Sequence, residues 1–95
     1  MLQPIEMIFV SSTEGILTPL KFRIIENDQV KILVVKNAVQ VDENRYNGIK
    51  QLIYRAKIID KELGISREDK LFYDIVAMKW YINNPNFVRD FSNGF

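Results

Sequence analysis

The chain has 95 residues, 13 basic and 12 acidic side chains, a net charge of +1 and 47% hydrophobic residues, as expected of one globular domain. It contains neither cysteine nor histidine, which excludes disulfides, thiolate metal sites, cysteine nucleophiles and histidine acid–base catalysis. The first residues lack the charged and apolar regions of a signal peptide, and no apolar run approaches the roughly 20 residues of a membrane helix. We therefore expect a single cytoplasmic domain over residues 1–95.

The first half of the chain predicts three strands. Ile5–Val10 is a short apolar run that a polar loop follows. Ile16–Ile25 then alternates apolar and basic side chains, which is the period of a strand with one wet face, and Pro19 belongs at its start, at an edge or at a bulge. Glu26–Gln29 supplies turn residues, and Val30–Val35 resumes the alternation. The last two strands therefore form a predicted β-hairpin.

The second half fits two structures. As helices, Gly48–Leu63 places its apolar side chains on one face, and Ser66–Asp69 resembles the capping box of a second helix. As strands, Leu52–Ile58 and Leu71–Ile75 alternate inward and outward positions, and Lys79–Ile82 forms a last strand. The pattern alone leaves both structures open.

Several segments along most of the chain resemble a family of small uncharacterised proteins of Gram-positive bacteria, associated with integrative mobile elements. The resembling segments are Thr18–Arg23, Lys31–Val41, Leu52–Ala56, Lys70–Asp74 and Lys79–Ile82. Members of that family typically carry cysteine at the positions of Ala56 and Met78 in this chain. The resemblance implies a compact all-β meander, and it implies no activity.

We therefore expect an all-β fold, with five or six antiparallel strands in a meander that closes into a small barrel of SH3-like or OB-like size. A short helical turn is expected at the C-terminus, where Asn84 precedes Pro85. The alternative is an α+β fold in which a three-stranded sheet carries a helical hairpin. The predicted core comprises Ile8, Val10, Leu20, Phe22, Ile24, Val30, Ile32, Val34, Leu52, Tyr54, Leu71, Tyr73, Ile75 and Trp80.

The material for catalysis is limited to paired carboxylates. The pairs are Asp42/Glu43, Asp60/Glu62 and Glu68/Asp69, and all lie in polar stretches that the pattern assigns to loops. Water keeps acids in loops ionised, and nothing in the sequence indicates the burial that a general acid needs. The sequence contains no glycine-rich phosphate loop and no metal-ligand spacing. We expect no enzymatic activity, no cofactor and no metal.

A non-catalytic binding module is the leading hypothesis for the function. Apolar side chains on predicted wet faces are suited to a protein partner or to a second copy of the chain; they are Ile25, Leu33, Val35, Ile53 and Phe72. The alternative is single-stranded nucleic-acid binding through a basic β-face. Its candidate residues are Lys21, Arg23, Arg55, Lys57, Lys79 and Tyr81. Lysine and arginine also face outward for solubility alone, and the small net charge argues against a large phosphate footprint.

Overall fold

The computed structural model describes residues 2–26, 28–46 and 48–83, which form a closed barrel of antiparallel strands. In chain order the strands are β1 (Gln3–Ser11), β2 (Leu17–Glu26), β3 (Gln29–Tyr46), β4 (Ile49–Asp60), β5 (Ile65–Asp74) and β6 (Lys79–Ile82). The predicted all-β meander is confirmed, and the helical hairpin is wrong because β4 and β5 occupy its segment. The predicted C-terminal helical turn lies in residues 84–95, outside the described residues.

The meander closes because β1 pairs with two different strands. Each strand pairs with the next along the chain, and the short β6 pairs with β1 as well as with β5. Gln3–Ile5 provides the partners of β6, whereas Glu6–Ser11 provides the partners of β2. The register shifts between Ile8 and Phe9, and a bulge of this kind bends a strand and increases its twist. β1 therefore turns the corner between two walls of the barrel.

The inner faces of the strands form one core around Trp80. Its buried members are Phe22, Ile24, Leu33, Val35, Tyr54, Ala56, Ile58, Leu71, Tyr73, Trp80 and Ile82. The ring centroid of Trp80 lies 4.8 Å from that of Tyr73, 5.4 Å from that of Tyr54 and 5.5 Å from that of Phe9. Tilted aromatic pairs at such distances add to the stabilisation that burial alone provides. The lone tryptophan is thus a core anchor, as predicted.

The predicted inward faces are correct for most of β2, β4 and β5 and for Trp80, but wrong for β1 and β3. The predicted core residues that are exposed instead are Ile8, Val10, Leu20, Val30, Ile32 and Ile75. Leu33 and Val35, which we expected on a wet face, are buried in the core. Ile53 is also buried, although it lies on the outer face opposite Phe72. A shift of one residue exchanges the two faces of a strand, and this exchange applies to the whole first half of β3.

An inward-facing lysine explains the exchanged faces of β3. Lys31 shares the inner face with Leu33 and Val35, and its side chain is only 14% exposed. Its Nζ lies 2.9 Å from Oδ2 of Asp60, a residue that is 1% exposed at the end of β4. A buried charge is tolerated when an opposite charge pairs with it. The period-two pattern places lysine outside because the pattern contains no information about a partner 29 positions away.

β3 extends beyond the wall that it shares with β2. Pairing between β2 and β3 ends at Lys21 and Val34, whereas β3 pairs with β4 along the rest of its length. Pro19, which has no N–H to donate, lies on β2 just beyond this point. On β3, Asn37 has a φ of 55° within a register shift, a conformation that asparagine tolerates better than most residues. These two residues explain why β3 leaves β2 here.

Candidate binding surfaces

All six sequence-predicted site residues lie on the outer face of the barrel, but they do not form one cluster. Lys21 and Arg23 lie on β2, Arg55 and Lys57 on β4, and Lys79 and Tyr81 on β6. β1 separates β2 from β6, and β3 separates β2 from β4. The predicted basic residues therefore lie on three strands that are not neighbours in the barrel.

An exposed apolar surface covers the outer face of the first three strands. It consists of Ile8, Ile25, Val30 and Ile32, which are 55 to 60% exposed and which we call the β1–β3 patch. Ile25 lies directly opposite Val30 in the β2–β3 ladder, and Ile32 lies in the next outward position along β3. Ile8 lies on the other side of β2, directly opposite Lys21. Scattered exposed apolar residues are normal on a protein surface, whereas larger apolar groups are a common feature of interaction surfaces.

Charged side chains border a groove in the β1–β3 patch. The groove has a volume of about 420 Å³ and is lined by Glu6, Met7, Ile8, Lys21, Phe22, Arg23 and Ile32. The Arg23 guanidinium donates to Oε2 of Glu6 at 2.5 Å, and both side chains remain substantially exposed. A second groove of about 360 Å³ adjoins the same ion pair and includes Lys79. Lys21 and Arg23 lie on the middle strand, between Ile8 of β1 and Ile32 of β3, so the groove combines cationic and aliphatic side chains.

Two pairs of like charges lie side by side on the outer face of β3, β4 and β5. Lys36 is directly opposite Lys57, and Arg55 is directly opposite Lys70. Because Arg55 and Lys57 are two positions apart on β4, the pairs form adjacent rows, which we call the cationic rows. Like charges directly opposite in a sheet are destabilising, by up to about 1 kcal/mol for each pair. Sequence reasoning missed Lys36 and Lys70 because the partner of each depends on the register.

The acidic candidates divide into exposed and buried side chains. Asp42, Glu43, Glu62 and Glu68 are exposed, and Asp69 is half-buried, but Asp60 is buried, and the prediction that water surrounds it is wrong. The predicted loop positions are also wrong for Asp42 and Glu43, which lie in β3, and for Glu68 and Asp69, which lie in β5. Its Oδ1 accepts the N–H groups of Glu62 and Leu63 at 3.0 and 3.2 Å, while Oδ2 faces Lys31. Oδ1 therefore closes the turn after β4, and Oδ2 connects the end of β4 to β3.

Asp74 has the same structural role at the end of β5. Its Oδ1 accepts the N–H groups of Val76 and Ala77, both at 3.0 Å, and its side chain is buried. Side-chain acceptors of this type close a turn by replacing the backbone partners that its N–H groups lack.

Within residues 2–26, 28–46 and 48–83, no group of three or more acidic side chains is arranged to hold a metal ion. The described part of the chain also contains no helix with the length and apolar character needed to cross a membrane. Comparisons with known proteins gave no match to a protein-family model, to a curated protein or to a solved structure.

Proposed function

We propose that this protein is a non-catalytic binding module that engages a protein partner through the β1–β3 patch. The observation that carries the proposal is the group of large aliphatic side chains that remain more than half exposed on adjacent strands. Each such side chain gains about 1.5–3 kcal/mol when it is fully buried. Burial of the group against a partner would therefore provide a large part of a binding free energy.

The charges at the groove specify the chemistry of the partner. Lys21 and Arg23 border the aliphatic surface, and Glu6 already pairs with Arg23. We therefore infer a partner surface with aliphatic or aromatic side chains and at least one carboxylate opposite Lys21. A second copy of the chain is one source of such a surface. The cytoplasmic location and the relationship to the mobile-element family remain predictions from the sequence.

Site-specific photo-cross-linking tests the proposal and does not require the partner to be identified beforehand. One variant carries a photoreactive phenylalanine analogue at Ile32 in the β1–β3 patch, and the control carries it at Val76 in the β5–β6 turn. Both positions are exposed, so neither substitution disturbs the core. We expect a discrete adduct from position 32 only. Its mass distinguishes a second copy of the chain from a different protein.

A second substitution then shows whether the adduct depends on the patch. Ile8 lies across the groove from Ile32, so Ile8→Asp places a charge in the proposed contact without touching the core. Loss of a central contact of about 2 kcal/mol weakens binding by about 30-fold, and the adduct should decrease accordingly. An adduct that is unchanged by Ile8→Asp, or that forms equally at Val76, contradicts the proposed surface.

A further inference from the structure

The like charges of the cationic rows repel each other, and the acidic side chains around them, among the described residues, offset this repulsion only in part. Glu68 lies opposite Lys57 and approaches Arg55, with Oε1 3.6 Å from Nε, but both side chains of this contact are more than half exposed. Exposed ion pairs of this kind are weak. The four cations are also close enough to share one ligand, because neighbouring strands are about 4.8 Å apart.

The other nearby acids are directed to different partners. Asp69 lies on the inner side of β5, where its Oδ2 is 2.9 Å from the guanidinium of Arg67. Asp42 lies one row further along β3, opposite Ile53, and its Oδ1 accepts the N–H of Glu43 at 2.8 Å. The cationic rows therefore form a local excess of positive charge in a chain whose net charge is only +1.

Two aromatic side chains border the cationic rows. On β5, Phe72 occupies the next outward position after Lys70, and on β6 Tyr81 lies directly opposite Phe72. Both side chains are half-buried. Positive charge beside aromatic side chains is the combination with which β-barrels bind single strands, since phosphates contact the cations and bases stack on the rings. A single strand carries a charged backbone and flat bases together, so it matches both features of this surface.

We propose that the cationic rows bind the phosphate backbone of single-stranded nucleic acid and that Phe72 and Tyr81 contact its bases. This site is distinct from the β1–β3 patch, and the inference does not depend on the proposed protein partner. It retains Arg55, Lys57 and Tyr81 from the sequence-predicted face and adds Lys36, Lys70 and Phe72. Lysine acts here as a point charge, so the binding is independent of sequence.

Fluorescence anisotropy of a labelled mixed-sequence oligonucleotide of about 12 nucleotides, with the full chain, tests the site. Four phosphate contacts give a slope of about −2.8 in log affinity against log salt, so affinity should fall about 50-fold between about 50 and 200 mM salt. The double variant Lys36→Gln/Lys57→Gln should bind at least about tenfold more weakly at low salt, with a slope near −1.4. Lys36→Arg/Lys57→Arg keeps the charges and should retain the affinity.

Matched control variants distinguish binding at the cationic rows from unspecific attraction to any basic residue of the barrel. Arg45→Gln/Lys50→Gln removes an equal charge from a directly opposite pair at the other end of the β3–β4 ladder and should change the affinity less than about twofold. Tyr81→Leu should weaken binding at least about fivefold and leave the salt slope unchanged, because stacking does not release counterions. The removal of like-charge repulsion should leave Lys36→Gln/Lys57→Gln no less resistant to urea than the original protein, so weak binding does not reflect unfolding.

Several results would overturn the inference. They are the absence of salt-dependent binding, an equal loss in Arg45→Gln/Lys50→Gln, and full binding by Tyr81→Leu. The inference would also fail if polyglutamate or a duplex competed for the site as effectively as the unlabelled single strand does. Ile8→Asp should retain nucleic-acid binding, so the failure of one proposed surface can be distinguished from the failure of the other.

Discussion

The ion pair between Lys31 and Asp60 provides the sharpest test of how this small barrel is stabilised. Asp60 is 1% exposed, and its carboxylate joins the turn after β4 to the start of β3. The close approach of the Asp60 carboxylate to Nζ is the main reason why the pKa of Lys31 rises above its ordinary value of 10.5. The raised pKa keeps Lys31 charged at neutral pH beside the buried carboxylate.

The substitution Asp60→Asn removes the charge and keeps the shape. The amide oxygen still accepts the N–H groups of Glu62 and Leu63, but a hydrogen bond to a neutral acceptor is worth about 1 kcal/mol less than one to a charged acceptor. The amide NH₂ would also face the ammonium of Lys31, which has no lone pair to accept it. Breaking a buried pair costs about 3–5 kcal/mol, and the partial exposure of Lys31 places the expected loss near about 3 kcal/mol.

Urea unfolding followed by Trp80 fluorescence measures this loss. A chain of this length has a total stability of about 5–14 kcal/mol, and with an m-value of about 1.5 kcal/mol/M the midpoint should fall by about 2 M. Glu62→Gln is the matched control, since this carboxylate lies 3.3 Å from the same ammonium but is 83% exposed. We expect the control to change stability by less than about 0.5 kcal/mol. Equal losses in the two variants would refute the reasoning.

Three further predictions concern the register, the alkaline limit and the bend in β3. Leu33→Ala should cost about 2–5 kcal/mol, and Ile32→Ala less than about 0.5 kcal/mol, in the same urea assay; the reverse order would exclude the register of β3. Burial raises the pKa of Tyr54, so above about pH 10 the unfolded chain releases a proton that the folded barrel keeps, and stability falls as the pH rises. Tyr54→Phe should therefore lose less stability than the original protein between about pH 9 and pH 11, and an equal loss would assign the effect to other groups. Asn37→Gly should be nearly neutral at the positive φ, whereas Asn37→Val should lower the thermal midpoint by several degrees, and equal midpoints would contradict the bend.

The sequence predicted the fold better than it predicted the faces of the strands. The β2–β3 hairpin was predictable because its turn residues separate two alternating segments. The face of β1 was predicted wrongly, because Ile8 and Val10 were placed inside; the exposed Glu6 is the residue that marks the outer face, with Ile5 and Met7 packed on the core. The face of β3 was not predictable in this way, because Lys31 and Lys36 lie five positions apart and so cannot both face outward, and it is Lys31 that faces inward toward Asp60.

The candidate surfaces were less predictable than the fold because a surface depends on register across strands. The pattern of β4 alone identifies Arg55 and Lys57 as outward-facing. Lys36 and Lys70 become candidates only when the register shows that they lie directly opposite Lys57 and Arg55. The register shift at Asn37 sets which residue of β3 faces Arg55. A local pattern does not contain this information, since the shift depends on how two strands fit together.

Two cations on the inner side of the barrel wall are closely paired with acids, whereas two arrangements on the outer side do not stabilise the fold. On the inner side, Lys31 pairs with Asp60 and Arg67 pairs with Asp69, each at 2.9 Å. On the outer side, the cationic rows place like charges opposite each other, and the β1–β3 patch leaves aliphatic side chains in water. Pairing on the inner side stabilises the fold, whereas neither outer arrangement does. Because Val34 lies between Ile32 and Lys36 on the outer face of β3, this one strand contributes to both surfaces and fixes the distance between them.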